Sequence, residues 1–423
     1  MDYPRLLVVA NNGFSKQNNN GRTLGSLLKG WPKDKIAQFC ISSDGPDFDI
    51  CENYYCVTDG DVLHSTLSLR QAQRRTLSNA CKIDSNSSNG HVKHYKTTIN
   101  MLARNIAWNI GFWWGDEFNK WLESFNPQIV LLQNGESFFM HNLALKISNK
   151  YNSRLAIFNT EGYYFFKKDY FAKDGFLGRL LFNGYQALYK YYYKCFMKSC
   201  VKQIYGNELL RQDYDREFGN TDSCVIYTGS NIAFVPVTIK PAIPVFCYLG
   251  NMGFNRPDAL IEFAEVLQSI DSRYKLDVYG FAKDKAMEDK LNGCNAIRFH
   301  GAVSYDEVLN VIEGSDYLVH VESQCEIFRE SLRYGFSTKI ADSIASGKIF
   351  ILYSSPEIAG AQYIMSNKAG IFASTKDDLK NKIIEVLNSE EVKSNIEVCA
   401  KKTALMNHDP VTNADKMHKY LID

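Results

Sequence analysis

Short apolar runs alternate with longer amphipathic stretches along the first half of the chain. The run at 6–10 is entirely apolar, as expected of a strand buried on both faces of a sheet. A polar loop rich in Asn and Gly follows at 11–21, and a helix is predicted from Arg22 to about Gly30. The same pattern predicts strands at 38–42, 129–133, 155–159, 202–205 and 224–227, and helices around 64–80, 94–124, 139–150 and from 207. This alternation indicates a parallel sheet covered by helices.

The second half restarts the alternation after a proline-punctuated segment, 236–244, which we interpret as a linker. Strands are predicted at 245–249, 275–279, 297–299, 317–321 and 349–352, and helices at 257–270, 286–292, 305–313 and 377–387. We therefore expect two Rossmann-like βα domains, residues 1–235 and 236–407, with a tail helix at 408–423 that packs back onto the first. Ligands are expected at the carboxyl ends of the strands, in a central cleft between the domains.

Composition narrows the function classes. The 423 residues carry a net charge of +1, so the protein as a whole has no strong positive field that would attract nucleic acid. This argues against nucleic acid as a partner. The 11 cysteines include no C-x-x-C pair, which favours reduced thiols in a cytoplasmic protein. The apolar run at 6–10 is too short for a signal peptide, and no other segment approaches membrane-spanning length without charges.

The stretch 334–348 carries the most informative chemistry. It reads as a tight turn, a short amphipathic helix and a glycine stop before a buried strand. Lys339 and Asp342 are three residues apart, so they share one face near the start of that helix. A cation and a carboxylate beside the amides of a helix N-terminus suit a ligand that carries both phosphates and hydroxyls, such as a nucleotide sugar.

Several short motifs then follow in a fixed order: Leu249-Gly250-Asn251, Asp277-Val278-Tyr279-Gly280, His300-Gly301-Ala302-Val303-Ser304, Gly314-Ser315-Asp316 and Tyr334 to Gly347. In this order they resemble the donor domain of the retaining GT-B glycosyltransferases of family 4. The resemblance covers the second half well and the first half in outline. It implies a GT-B fold and transfer of a hexose from a nucleoside-diphosphate sugar to a hydroxyl of a glycan or lipid-linked glycan, with retention, as in surface-polysaccharide synthesis.

The resemblance also implies donor-binding residues. Arg256 takes the place of a basic residue that binds the donor phosphates, whereas Asn251 replaces the arginine usual after the glycine. Asp342 falls on the second acid of the family signature, and Lys339 matches a known variant of it. Tyr334 departs from the pattern, because it stands at the first acid. The implied donor set is completed by Gly335, Phe336 and Ser337 in the turn, Gly280 and Val303 in the middle motifs, and Gly21 in a glycine loop that faces the phosphates.

The acceptor side departs from the family pattern too, because Asn159-Thr160-Glu161 stands where a histidine is frequent. Glu161 and Glu136 are candidates for positioning or deprotonating the acceptor hydroxyl. The alternative is that both are structural or solvated acids at strand ends. A retaining mechanism needs no strong base if the leaving phosphate takes the acceptor proton.

Other acidic and aromatic patterns leave alternatives open. Three D-x-D triplets, at 47–49, 59–61 and 213–215, are scattered, so we expect neither a metal nor another cofactor. Glu322 and Glu330 are interpreted as loop acids, with Glu330 a substitute for the acid missing at Tyr334. Residues 161–200 mix Tyr and Phe with Lys, which suits either peripheral membrane contact or an aromatic core with snorkelling lysines.

Two rival functions remain at this stage. A sugar-nucleotide epimerase or hydrolase on the same fold would process a donor without an acceptor. A non-catalytic GT-B-like partner subunit would explain both Tyr334 and the absent histidine.

Overall fold

The computed structural model describes residues 2–16, 19–42, 46–69, 97–168, 175–219, 222–235 and 243–423. The predicted polar loop at 84–90 and most of the predicted linker lie outside these residues. The chain forms two compact units. The first comprises the described residues up to Gly206, together with Leu210–Ile226 and Ala414–Asp423, and the second comprises Asn207–Leu209 and Tyr227–Asn413.

The first unit is built on a seven-stranded parallel sheet with strand order β3-β2-β1-β4-β5-β6-β7. Its strands are β1 Leu6–Asn12, β2 Ile36–Ser42, β3 Asn53–Cys56, β4 Ile129–Gln133, β5 Arg154–Asn159, β6 Cys200–Tyr205 and β7 Ser223–Val225. Its helices are α1 Asn19–Leu27, α2 Asp59–Ser68, α3 Thr98–Ile110, α4 Asp116–Phe125, α5 Phe139–Tyr151, α6 Phe176–Met197 and α7 Glu208–Phe218. Leu6 to Ala10 are buried on both faces, as the continuous apolar run predicts.

The second unit has a six-stranded parallel sheet with strand order β10-β9-β8-β11-β12-β13. Its strands are β8 Phe246–Leu249, β9 Leu276–Tyr279, β10 Ile297–Gly301, β11 Tyr317–Val321, β12 Ile349–Tyr353 and β13 Ile371–Ala373. Its helices are α8 Arg256–Ile270, α9 Lys285–Asn292, α10 Tyr305–Glu313, α11 Glu326–Leu332, α12 Thr338–Ser346, α13 Ala359–Asn367, α14 Lys376–Asn388 and α15 Glu390–Thr403. Two apolar clusters cover its two faces, one including α8 and α14 and the other α12 and α13. Both sheets are therefore Rossmann-like, as predicted.

The end of the chain returns to the first unit. A π-helical turn at Ala404–His408 precedes the last helix, α16 Pro410–Ile422. Met417 and Leu421 are fully buried in the core of the first unit, with α1 and β1. The apolar face of this helix therefore places Ala414–Asp423 in the first unit.

The main segment of the first unit ends at Ile226, earlier than the predicted boundary at residue 235. The intervening residues pack within the second unit. Tyr227 contacts the rings of Phe336 and Tyr363, and Ile232 belongs to an apolar cluster of that unit. Ring packing and burial thus hold this segment to the second unit before the sequence shows any linker composition.

Several elements differ from the sequence prediction. The stretch predicted as one helix at 94–124 is two helices, because Gly111 adopts a left-handed backbone conformation with φ 82° and ends α3. Helix α1 starts at Asn19, so Gly21 lies in its first turn and not in a loop. Strand β3 has only four residues, and the sequence pattern did not predict it.

Residues 161–200 contain the long helix α6, and its large apolar side chains separate into a buried and an exposed set. Phe182, Tyr185, Tyr189, Tyr193 and Phe196 are buried and pack as an aromatic core. Phe176, Leu177, Leu180, Leu188 and Tyr191 are exposed. Across the described ranges, no helix combines the length and the apolarity that a membrane span requires.

Candidate functional site

Helix α12 begins and ends at the positions that its sequence signals. The Ser337 hydroxyl accepts a hydrogen bond from the Lys339 amide at 3.3 Å and caps the N-terminus. Ile340 and Ile344 bury one face, and Gly347 stops the helix with φ 79°. Since α12 leads into β12 of a parallel sheet, its N-terminus lies at the carboxyl edge of the strands, where ligands of such sheets bind.

Lys339 and Asp342 lie side by side on the first turns of α12. The Lys339 ammonium is 3.8 Å from one carboxylate oxygen of Asp342, and both side chains remain partly exposed. The other Asp342 oxygen accepts a hydrogen bond from the Ser230 hydroxyl at 2.8 Å. Ser230 is buried and held by a backbone bond from its amide to the His408 carbonyl. An ionised carboxylate offers about four lone-pair sites, so Asp342 can accept further hydroxyl groups.

The turn before α12 is held by packing. Phe336 joins an aromatic cluster with Tyr227, Tyr363 and His408. Tyr334 is buried at 6% exposure, and its carbonyl accepts a hydrogen bond from the Asn207 side chain at 2.9 Å.

The Gly335 amide donates to the Leu332 carbonyl at 3.0 Å. The amide of Gly335, a residue of the implied donor set, is therefore used inside the turn.

Arg256 forms a buried ion pair with Glu322. Its Nε and Nη2 atoms each donate to a Glu322 oxygen at 2.9 Å, and the side chains are 12% and 10% exposed. His320 contacts the same carboxylate at 3.0 Å. Burial raises the pKa of Glu322, but His320 and Arg256 outweigh it and hold this pKa below its usual range. Glu322 lies in the loop after β11, as predicted, and there it is a buried pairing acid. Glu330 is exposed on helix α11, so its interpretation as a loop acid is wrong.

The loop between β8 and α8 directly precedes Arg256 in the sequence and has an unusual backbone conformation. Phe254 and Asn255 both have left-handed backbone conformations, with φ 55° and 58°. This costs an aromatic residue of order 1 kcal/mol or more and is most often seen at functional sites. The third guanidinium nitrogen of Arg256, Nη1, lies 3.3 Å from the Asn251 carbonyl. The guanidinium is thus oriented by Glu322 on one edge and by this loop on another.

Gly280 follows β9 and lies where the backbone approaches Gly250, which follows the neighbouring strand β8, at the same edge of the sheet. A Cβ atom there would lie 2.1 Å from the Gly250 carbonyl oxygen, so only glycine fits. Its amide donates to the Gly301 carbonyl at 2.8 Å. Val303 is half-buried in the loop that follows Gly301, before the capping box of α10.

A charged cluster that the sequence analysis missed lies beside this close backbone approach. Arg298 donates two hydrogen bonds to the buried carboxylate of Asp277, at 2.7 and 2.5 Å, and His300 contacts it at 2.7 Å. The His300 ring stacks on Tyr279 with centroids 4.4 Å apart. Period-2 alternation along β9 and β10 is the signal that places these four side chains on one face.

In the first unit, Glu136 and Glu161 follow the adjacent parallel strands β4 and β5. Burial raises the pKa of the Glu161 carboxyl to about 7. Burial also raises the pKa of Tyr163, and the charges of Glu161 and Glu136 raise it further. The Tyr185 hydroxyl donates to the Glu136 carbonyl. The two sequence candidates therefore follow the carboxyl ends of neighbouring strands of the first sheet.

A buried polar network lies beneath the ends of β4 and β5. The Asn134 amide donates to Asn159 at 2.7 Å, and Tyr189 and His141 both contact the Asn134 oxygen at 3.0 Å. Burial lowers the pKa of His141 to about 3, which keeps it neutral. This histidine comes from α5 and packs inside the core, so it does not replace the histidine missing after β5.

Gly21 makes the other close backbone approach. A Cβ atom there would lie 2.3 Å from the Gly13 carbonyl, which fixes the first turn of α1 against the end of β1. No set of three His, Cys, Asp or Glu side chains in the described part of the chain could hold a metal ion. Of the D-x-D triplets, Asp59 and Asp61 begin α2, and Asp213 and Asp215 lie within α7.

Residues 243–389, which lie in the second unit, match the model of the family described as "Glycosyl transferases group 1". A comparison with curated proteins found no match.

The whole chain is similar in structure to Anabaena HepE in complex with UDP, with TM-score 0.62, 11% identity and 99% of both chains covered. It is similar to sucrose-phosphate synthase from Thermosynechococcus elongatus, with TM-score 0.60, 12% identity and 98% of both chains covered. It is also similar to the apo form of the lipopolysaccharide outer core galactosyltransferase WaaB, with TM-score 0.55, 14% identity and 99% of both chains covered. These similarities confirm the predicted GT-B fold.

Proposed function

We propose that this chain is a retaining hexosyltransferase. It takes a sugar from a nucleoside-diphosphate donor and transfers it to a hydroxyl of a glycan or lipid-linked glycan. The observation that carries the proposal is the group 1 glycosyltransferase match across 243–389, which contains Lys339 and Asp342 at the start of α12. Retention is proposed from the resemblance to family 4. The cysteine pattern supports a cytoplasmic site of action.

The donor is proposed to bind at the carboxyl edge of the second sheet. Asp342 accepts hydroxyl hydrogen bonds from the ribose, because its carboxylate is partly exposed and a carboxylate can accept two hydroxyl hydrogen bonds at once. Lys339 and the N-terminal amides of α12 face the diphosphate, where their positive charge stabilises the departing nucleotide. Arg256 contributes through the N–H of Nη1 that does not point at the Asn251 carbonyl, since Glu322 accepts from Nε and Nη2.

The acceptor is proposed to approach Glu161 and Glu136. A carboxyl with a pKa of about 7 exchanges protons readily near neutral pH, which suits a group that positions or deprotonates a hydroxyl. No resident metal or other cofactor is proposed. Donor binding in this scheme uses side-chain cations and helix amides in place of a metal-held diphosphate.

Two Anabaena HepE structures, solved with UDP and glucose and with UDP-glucose, are also similar to this chain, each with TM-score 0.60 and 11% identity, over 100% and 99% of both chains respectively. Their ligands support uridine nucleotides as the first candidates. We therefore propose to screen UDP, GDP and their sugars by thermal shift and calorimetry. A free nucleotide concentration of about 100 times Kd stabilises the folded protein by about 2.7 kcal/mol, and this change is readily measured.

Asp342→Asn is the informative variant, because it keeps the side-chain volume and removes the charge. We expect nucleotide affinity to fall at least about tenfold. Asp378→Asn is the matched control, since Asp378 also pairs with a lysine in a helix of the second unit, Lys382 at 3.0 Å. Equal affinity in all three proteins would remove Asp342 from the site, and no response to any nucleotide diphosphate would contradict the proposal.

Product analysis separates the rival activities. A transferase lengthens an acceptor, a hydrolase releases free sugar from the donor, and an epimerase returns an isomeric nucleotide sugar. Nucleotide binding with none of these products would indicate the non-catalytic subunit that Tyr334 suggests.

A further inference from the structure

Three helices of the first unit each expose an apolar stripe. On α3 the stripe has the spacing i, i+4, i+7, i+11, and its Ile106 is 55% exposed. On α2 the two leucines are four residues apart, and on α6 the exposed residues form two i, i+3 pairs separated by eight residues, so each stripe follows one face of its helix. The side chains of this surface, here termed the apolar face, are Leu63 and Leu67 of α2, Ile99, Ala103, Ile106 and Ile110 of α3, and Leu177, Leu180, Leu188 and Tyr191 of α6.

The stripes belong to one layer of helices. Helix α3 packs against both α2 and α6. The opposite side of each helix is buried in the first unit, through Val62 on α2, Trp108 on α3 and Tyr189 on α6. The three stripes therefore point away from the core. Single exposed leucines need no explanation, but apolar stripes on three neighbouring helices mark an interaction surface.

The charged side chains of α3 and α6 are all basic, whereas α2 carries Asp59 and Asp61 and no Lys or Arg. Helices α3 and α6 contain no Asp or Glu, whereas α6 and its C-cap carry Arg179, Lys190, Lys194 and Lys198. Glu217 of α7 lies 3.8 Å from Lys194, and Arg104 of α3 pairs with Asp59 of α2. Since the whole chain has a net charge of only +1, the positive field along α6 is local.

We propose that the apolar face docks onto the surface of an anionic lipid bilayer. Leu, Ile and Tyr side chains insert at the level of the headgroups, and the basic groups along α6 bind lipid phosphates, which is how amphipathic helices lie in a membrane interface. A second copy of this chain fits less well, because a two-fold contact would set the basic side of α6 against itself. The inference concerns binding alone and holds whether or not the protein transfers sugar.

Co-sedimentation with vesicles tests the proposal without any sugar donor. The full-length protein should pellet with vesicles of phosphatidylcholine mixed with phosphatidylglycerol, and far less with phosphatidylcholine alone. Raising the salt from about 0.1 M to about 1 M, which shortens the Debye length from about 10 to about 3 Å, should weaken binding. Absence of binding to the anionic vesicles at low salt would overturn the proposal.

Two variants locate the contact. Leu180→Asp places a negative charge in the stripe of α6 at a residue that is 58% exposed, so folding should be retained, and vesicle affinity should fall about tenfold or more. Val398→Asp is the control, because Val398 is 66% exposed on α15 of the second unit. Equal loss in both variants contradicts docking through the apolar face. So does light scattering that shows a wild-type dimer separated by Leu180→Asp, because the occupant would then be a second copy.

Discussion

Glu322→Gln removes the charge from a pair that the protein buries almost completely. Two guanidinium nitrogens of Arg256 lose a charged acceptor, while the guanidinium stays about one-tenth exposed. Breaking a buried pair from one side costs about 3–5 kcal/mol, because the remaining charge is desolvated without a partner. The amide retains one acceptor oxygen, so we expect a loss of about 3 kcal/mol in the free energy of unfolding of the second unit.

The distribution of tryptophan makes this measurement specific to one unit. All five tryptophans lie between Trp31 and Trp121, in the first unit. Urea unfolding followed by tryptophan fluorescence therefore reports the first unit, and far-UV circular dichroism reports both. We expect Glu322→Gln to shift the circular-dichroism transition and to leave the fluorescence transition nearly unchanged.

A double-mutant cycle built from Arg256→Met, Glu322→Leu and their double variant completes the test. If the pair is coupled as its geometry indicates, the double variant Arg256→Met/Glu322→Leu should be more stable than either single variant. Asp378→Asn breaks a partly exposed pair in the same unit and should cost less than about 1 kcal/mol. A cost below about 1 kcal/mol for Glu322→Gln, or simple additivity in the cycle, would refute this account of the pair.

Four further predictions follow from single contacts. Because Glu322 has a lowered pKa, its stabilisation is present at neutral pH and is lost as the pH falls through that pKa, so the difference in stability between Glu322→Gln and wild type should narrow as the pH falls below 4.5 in urea titrations. Because the pKa of Glu161 is raised from 4.5 to about 7, ionisation destabilises the fold as the pH rises through that window; Glu161→Gln should be more stable than wild type above it, by at most about 3 kcal/mol, and equal below it. Gly21→Ala should lower the melting temperature, since its Cβ would meet a carbonyl oxygen at 2.3 Å, whereas Gly184→Ala in α6 meets nothing within 4 Å and should raise it. Ser230→Ala should weaken nucleotide binding less than Asp342→Asn, because it removes a partner of the carboxylate and not the carboxylate itself.

Local pattern was sufficient for most of the fold. Predominantly apolar runs located β1, β4, β11 and β12 to within a residue or two, since parallel strands buried on both faces are built mostly from apolar residues. Glycine located the end of α12, because Gly347 needs a left-handed conformation there. Short or mixed elements such as β3 were missed, since their burial comes from neighbours distant in sequence.

The candidate site shows the same difference between what the sequence predicts and what packing decides. From the sequence came the residue types at the carboxyl edge of the second sheet, namely Arg256, Lys339 and Asp342. Only the tertiary structure paired Arg256 with Glu322, 66 residues away, and Asp342 with Ser230, 112 residues away. Helical and strand periodicity is a property of adjacent residues, so it can be read along the chain. The partner of a buried charge depends on which strands and loops packing brings together, and that information is not local.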